Sequence, residues 1–302
     1  MTYSIVARDS ETGALGVAVQ TCMFAVGAVV PWARSGVGAV ATQSFTEKAY
    51  GTRCLTAMAD GRDAADALQG ARAADPGAPM RQVGVIDAAG GVANFTGELC
   101  VAFAGDCMGD GYAVQANMMA TPDVWPAIAS AYESASASFA RRLLAALVAG
   151  EAAGGDARGG MSAAILVVDA ERRDDPADGV LVDVRVDEHE RPLDELARLL
   201  TAAEAFDHYF RAIDAIGEGD VEAVRREIDA AHELMPAEEN IRFLRAGSLL
   251  LEGRLDEGRA ALGALVTARP GWGTILRSFA EKGLFALPPG LDLDELAGPS
   301  AF

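Results

Sequence analysis

The chain has 302 residues, 51% of them apolar, enough for one large core or two of ordinary size. Its 44 acidic against 25 basic side chains give a net charge of −19, which argues against a nucleic-acid or anionic-membrane partner. With no apolar run of about 18 residues and no charged-then-apolar leader, the expectation is a soluble, cytoplasmic chain. Cys22, Cys54, Cys100 and Cys107 lack CxxC spacing and read as free thiols. His189, His208 and His232 all lie far downstream, so neither a zinc site nor a Ser-His-Asp triad is expected.

A strand-like run opens at the second residue and covers 2–8, and a turn cluster at 9–13 joins it to a second strand at 15–20 as a hairpin. Thr2 is a small second residue, the kind after which the initiator Met is trimmed. A free threonine amine beside its own hydroxyl combines nucleophile and base in one residue, and an α-amine titrates near pH ~8. The alternative is an ordinary Met-Thr start to an edge strand. Further apolar runs at 25–30 and 36–42 read as strands, separated by residues 31–35. Helical spacing covers 50–74 and stops at Asp75-Pro76-Gly77. Strands return at 82–87 and 92–96 around Ala88-Ala89-Gly90-Gly91, and again at 112–119. Helices follow over about 121–134 and 138–150. A glycine-rich turn at 154–160 then leads into the strongest buried-strand signal, 162–168, with a hairpin partner at 180–186. Antiparallel hairpins with helices grouped between them predict an α+β domain over 1–190.

Beyond Pro192 the strand signal disappears. Gly217 and Gly253 lie 36 apart and Pro236 and Pro270 lie 34 apart, a period similar to that of tetratricopeptide helix pairs. Residues 191–286 therefore read as an all-α domain of two helical hairpins plus a closing helix, with a bundle of no repeat family as the alternative. Trp272, Phe279 and Phe285 read as the core of the last helix, and 287–302 as an irregular tail.

Seven ordered blocks carry a resemblance: residues 2–9, GVAVQ at 16–20, FAVGAVVPWAR at 24–34, GVGAVATQ at 36–43, RQVGVIDAAGGVANFTG at 81–97, GYAVQANM at 111–118 and GGDARGGMSAAILVV at 154–168. Together they resemble a bacterial family, domain of unknown function 1028, placed in the N-terminal-nucleophile (Ntn) hydrolase superfamily. The resemblance implies a four-layer αββα sandwich with the mature first residue, Thr2, as nucleophile on an amide-type bond. It implies no metal or organic cofactor.

By similarity to Ntn enzymes, Arg34 takes an electrostatic role near the terminus; its alternative is a surface ion pair. Gln20 stands where the proteasome subunit carries an acid, so it can orient the amine without fixing its charge. Gln43, Gln115 and Asn117 end apolar strands, where side-chain amides line a cleft; Asn117 is the preferred oxyanion donor, with strand-end capping as the alternative. Asp156, Arg158 and Ser162 form a turn-to-strand cluster near the terminal amine in similar folds, or else a glycine turn with one ion pair. Cys22 is the rival nucleophile, without a His in the first half to activate it.

The expected partners are an amide substrate, a protein or peptide at the helical domain, and a second copy of the chain. The expectation is thus an Ntn-type amidohydrolase followed by a helical domain, with a noncatalytic binding or scaffold protein as the alternative.

Overall fold

The computed structural model describes residues 2–283, 289 and 291–297. Among the described residues ten strands form two antiparallel sheets, and ten α-helices follow or interrupt them. The chain divides into two units, 1–200 and 201–302, and the division falls within a helix, Pro192–Glu218.

The first unit holds both sheets. The six-stranded sheet runs β10-β9-β2-β1-β8-β7, built from β1 (Thr2–Arg8), β2 (Leu15–Thr21), β7 (Gly105–Gly109), β8 (Tyr112–Asn117), β9 (Ser162–Val168) and β10 (Val180–Val186). The four-stranded sheet runs β3-β4-β5-β6, from Pro31–Arg34, Gly38–Ser44, Arg81–Asp87 and Val92–Thr96. β1 lies in the interior of its sheet, paired with β2 on one side and β8 on the other, so the segment from Thr2 onward is built into the core.

Alternation along the strands sorts side chains into three apolar layers. Tyr3, Ile5, Val114 and Ile165 face outward onto Leu143 and Leu147 of α4 (Phe139–Ala152), Ile128 of α3 (Val124–Ser134) and Leu196 of α5 (Pro192–Glu218). Val6, Leu15, Val17 and Ala113 face inward onto Ala39, Ala41 and Ile86 of the other sheet. The outer face of the second sheet, with Val40, Val83 and Val85, packs on Tyr50, Cys54 and Met58 of α1 (Ala49–Ala59) and Leu68 of α2 (Ala64–Ala73).

Three local readings are corrected. The apolar run at 25–30 is not a strand: Ala25 adopts φ 54 and Val26–Ala28 form a 3-10 turn. The strand lies instead at Pro31–Arg34, where the proline is tolerated because β3 is an edge. The helical stretch 50–74 is two helices, the second started by Asp63, whose side chain accepts from the Asp66 amide at 2.8 Å. β7 was not expected from its sequence.

In the second unit, α6 (Val221–Leu234) is capped by Asp220 and stops before Pro236. α7 (Glu239–Leu251), α8 (Leu255–Ala268) and α9 (Gly271–Glu281) follow, with α8 stopping before Pro270. α6 packs on α7 and α7 on α8. In the stretch read as an irregular tail, α10 (Leu293–Ala297) buries Leu296 and Ala297 against Leu262 and Leu276. Trp272 is buried and stacks on Phe243 with ring centroids 4.8 Å apart. Phe279 is 39% exposed, and Phe285, Leu287, Pro288 and Pro299 lie outside the described residues.

Candidate functional site

The inter-sheet layer changes character along its length. At one end it is apolar; at the end where β1 begins, the inward positions are Thr2, Ser4, Thr21, Gln43, Gln82, Gln115 and Asn117, all buried. The register explains the cluster. Thr2 lies opposite Thr21 on β2 and Asn117 on β8, Ser4 lies opposite Gln115, and Gln43 of the other sheet lies opposite Gln82.

These side chains form one network. The Thr2 hydroxyl donates to Thr21 Oγ1 at 3.2 Å, and the Thr2 carbonyl accepts from Gln43 Nε2 at 3.1 Å and Asn117 Nδ2 at 3.3 Å. Gln43 Nε2 also reaches Gln82 Oε1 at 2.9 Å and the Gln115 carbonyl at 3.2 Å, sharing two hydrogens among three acceptors. Ser4 donates to Gln43 Oε1 at 2.6 Å and accepts from Gln115 Nε2 at 2.8 Å. Asn117 Nδ2 adds a bond to Gln82 Oε1 at 2.8 Å, and Gln82 Nε2 donates to Thr96 Oγ1 at 2.9 Å and the Ala116 carbonyl at 2.9 Å. Glycine at position 84 makes room for this layer, since a Cβ there would stand 2.1 Å from Gln115 Oε1. Gln115 Oε1, Asn117 Oδ1 and Asn94 Oδ1 are buried acceptors with no protein partner among the described residues.

The segment at 155–161 crosses in front of the start of β1. Met161 N donates to the Thr21 carbonyl at 2.8 Å on the β2 side, while Ala157 N donates to the Met118 carbonyl at 3.3 Å on the β8 side. Asp156, its side chain fully buried, accepts from Cys22 N at 3.3 Å and from Arg158 N at 3.0 Å, and pairs with Arg158 Nε at 3.5 Å. A carboxylate with a cation behind it therefore stands between the two strands that flank Thr2.

The site residues expected from the sequence separate into groups. Thr2, Gln43, Gln115 and Asn117 share the network, with Asp156 and Arg158 at its mouth. Gln20 sits one residue before Thr21 and so points to the opposite, helix-facing side of the sheet beside Ala18. Ser162 holds a loop: its hydroxyl donates to the Met23 carbonyl at 2.5 Å and accepts from Val26 N at 3.1 Å. Arg34 pairs with Gly38, five residues along β4 from Gln43; at roughly 3.3 Å per residue it stands about 17 Å from the Thr2 end. Arg34 therefore stands apart from the network around Thr2.

Asn117 Nδ2 is spent on the Thr2 carbonyl and Gln82, which makes it a clamp on the nucleophile candidate rather than a free oxyanion donor. Cys22 gains nothing as a rival: burial first, then the Asp156 carboxylate, push its thiol pKa up. Gln82, Ser4, Thr21 and Thr96 were not anticipated. Their one sequence signal is a polar residue at an even spacing from an apolar inward run, readable only once the pairing register is known.

Among the described residues no group of three or more His, Cys, Asp and Glu could hold a metal ion, and no helix is long and apolar enough to cross a membrane.

A family model described as a family of unknown function (DUF1028) matches residues 2–196, a range that contains both sheets and the whole amide network. A crystal structure of protein SPO2555 from Silicibacter pomeroyi, assigned to the same family, is 33% identical with a TM-score of 0.61. The match covers 67% of this chain and 85% of that one. None of the curated proteins matches the chain.

Proposed function

Because the chain belongs to the DUF1028 family, we propose that its first unit is an Ntn-type amidohydrolase, a four-layer αββα sandwich with Thr2 as nucleophile after removal of Met1. The observation that carries the reading is the Thr2 hydroxyl at the polar end of the inter-sheet layer, with its carbonyl held by two amides.

In the proposed reaction the Thr2 amine takes the hydroxyl proton as Oγ1 bonds to the amide carbonyl carbon. The C–N bond then breaks, the leaving nitrogen receives that proton, and an acyl ester remains on Thr2. Water, deprotonated by the same amine, adds to the ester; the C–Oγ1 bond breaks, releasing the acid and restoring the hydroxyl. Asp156 supplies a buried negative charge near the amine, and Arg158 supplies the cation. Gln43 and Asn117 act as positioning residues by fixing the Thr2 peptide group. The reaction as written uses no cofactor, and the buried layer behind Thr2 is lined mainly by side-chain amides, with the Asp106 carboxylate accepting from Thr96 at 2.5 Å.

The test is intact mass and amino-terminal sequencing, followed by turnover of an acyl-amide panel. Thr2→Ala should lower activity by at least about 10³-fold while Thr2→Ser keeps part of it. Activity that survives Thr2→Ala removes Thr2 as nucleophile.

A second reading concerns the helical unit alone. Tyr209, Ile213, Ile216, Phe243, Leu251 and Phe279 help line an apolar groove of about 480 Å3, and a groove between helical hairpins suits a bound peptide or protein segment. A chain lacking peptidase or amidase turnover yet retaining a partner through this groove would be a scaffold.

A further inference from the structure

Around the start of β1, three loops carry large apolar side chains into solvent. Met23 and Phe24 follow the end of β2, Phe45 follows the end of β4, and Leu99, Val101 and Phe103 occupy the loop between β6 and β7; all six are 47–65% exposed. Isolated exposed hydrophobes need no explanation, but these belong to the segments that end the strands holding Thr2.

Backbone bonds tie each loop to that end. Met118 N, one residue beyond Asn117, donates to the Val101 carbonyl at 3.0 Å, and Met119 N donates to the Phe103 carbonyl at 3.0 Å. Phe45 comes two residues after Gln43, and its amide bonds the Met80 carbonyl at 3.3 Å; Leu99 N bonds the neighbouring Pro79 carbonyl at 2.8 Å. Cys100 Sγ lies 3.6 Å from Ser44 Oγ, closing the loop onto β4. The Met23 carbonyl is held by Ser162. An apolar rim therefore flanks a polar, largely amide-lined layer that also holds the Asp106 carboxylate, which accepts from Thr96 at 2.5 Å, with Asp156 and Arg158 at its mouth and the Arg81 guanidinium on the Phe45 carbonyl. That combination, apolar walls with a few fixed polar groups at the base, is what a small-molecule site presents.

Resting on the proposed Thr2 chemistry, we infer that the rim is the acyl-binding part of the same site: the substrate is a neutral amide whose acyl group is aliphatic or aromatic. The amide carbonyl sits at Thr2 and the apolar group lies across the loops at 22–24, 45 and 97–103. A charged acyl group would place its charge on this apolar surface and is disfavoured.

The test uses the full chain and a series of β-lactones with lengthening unbranched alkyl groups. Attack by Thr2 Oγ1 on the lactone carbonyl breaks the ring C–O bond, the new hydroxyl takes the proton, and residue 2 gains the full mass of the lactone. The labelling rate constant should rise about two- to fourfold per added methylene over the first few members. Phe24→Ser and Leu99→Ser, both changes at exposed positions, should flatten the series to within about twofold.

A flat series on the natural chain, or a slope unchanged in both variants, overturns the rim as acyl site while Thr2 labelling stands. Labelling absent with every lactone overturns the Thr2 reading and the rim with it. Sedimentation supplies the other outcome: a dimer that the variants dissociate, with the slope unchanged, makes the rim a contact between copies and overturns the inference.

Discussion

Gln43→Met removes the amide at the centre of the inter-sheet network while keeping side-chain length. Ser4 then loses the acceptor for its hydroxyl proton, now 2.6 Å away, and among the described residues its hydroxyl donates to no other side chain. An orphaned buried group of this kind costs about 1–3 kcal/mol. The Thr2 carbonyl and Gln82 Oε1 each lose one of two side-chain donors and fall back on Asn117, adding about 0.5–1 kcal/mol apiece. The expected loss is about 2–5 kcal/mol in the first unit.

Urea unfolding followed by tryptophan fluorescence measures it, in a Trp272→Phe background so that Trp32 and Trp125 alone report. Gln20→Met is the control: it lies on the other face of the sheet, and its buried Oε1 has no partner among the described residues, so its replacement should cost no more than about 1 kcal/mol. Adding Ser4→Ala to Gln43→Met removes the orphaned hydroxyl but also the acceptor of Gln115 Nε2, two effects that oppose each other, so the further change should stay within about 1 kcal/mol. A Gln43→Met loss below about 1 kcal/mol, or equal costs for Gln43→Met and Gln20→Met, would refute the network as a stabilising unit.

Gly84→Ala should destabilise by about 1–3 kcal/mol, read in the same urea assay, because its Cβ would meet the Gln115 amide at 2.1 Å and force the layer to shift. The Arg81 guanidinium and the Gly77 amide hold the Asp75 carboxyl below the usual carboxylate range. Its contribution is therefore present above the unfolded pKa of about 3.9 and is lost as pH falls through the lower folded value. Asp75→Asn should flatten the acid-side fall of stability, measured as urea unfolding between neutral pH and pH ~3. In the helical unit, Trp272→Phe removes the 2.8 Å bond from Nε1 to Glu239 while keeping the stack on Phe243, and should lower thermal stability by about 1–2 kcal/mol by circular dichroism.

Much of this fold is legible wherever local pattern and burial agree. The run at 163–168 is apolar throughout because β9 lies between β2 and β10 with both faces largely covered, and 162–168 forms the strand expected, paired with 180–186. The β1–β2 hairpin is legible for the same reason. Where tertiary partners decide, the pattern misleads. Residues 25–30 look like a strand, yet Ser162 captures the Val26 amide and the chain turns. β7 has glycine at both ends and no alternation, so only the Asp110-Gly111 pair that joins it to β8, with Gly111 at φ 70, marks it as half of a hairpin.

The candidate site divides in the same manner. Gln43, Gln115 and Asn117 are visible as polar ends of apolar strands. Whether they meet depends on register, which places Gln82 among them, turns Gln20 to the far face and carries Arg34 to the other end of its sheet. Sequence order puts Arg34 close behind the first hairpin; strand pairing puts it about 17 Å away.

The central claim is that Thr2 is a nucleophile with a free amine. The most direct measurement is the intact mass of the purified chain before and after incubation with a short β-lactone, with peptide mapping of the adduct. The account predicts a chain lacking Met1 and one adduct on Thr2 that disappears in Thr2→Ala. Retention of Met1, or an adduct that persists in Thr2→Ala or maps to Cys22, would contradict it.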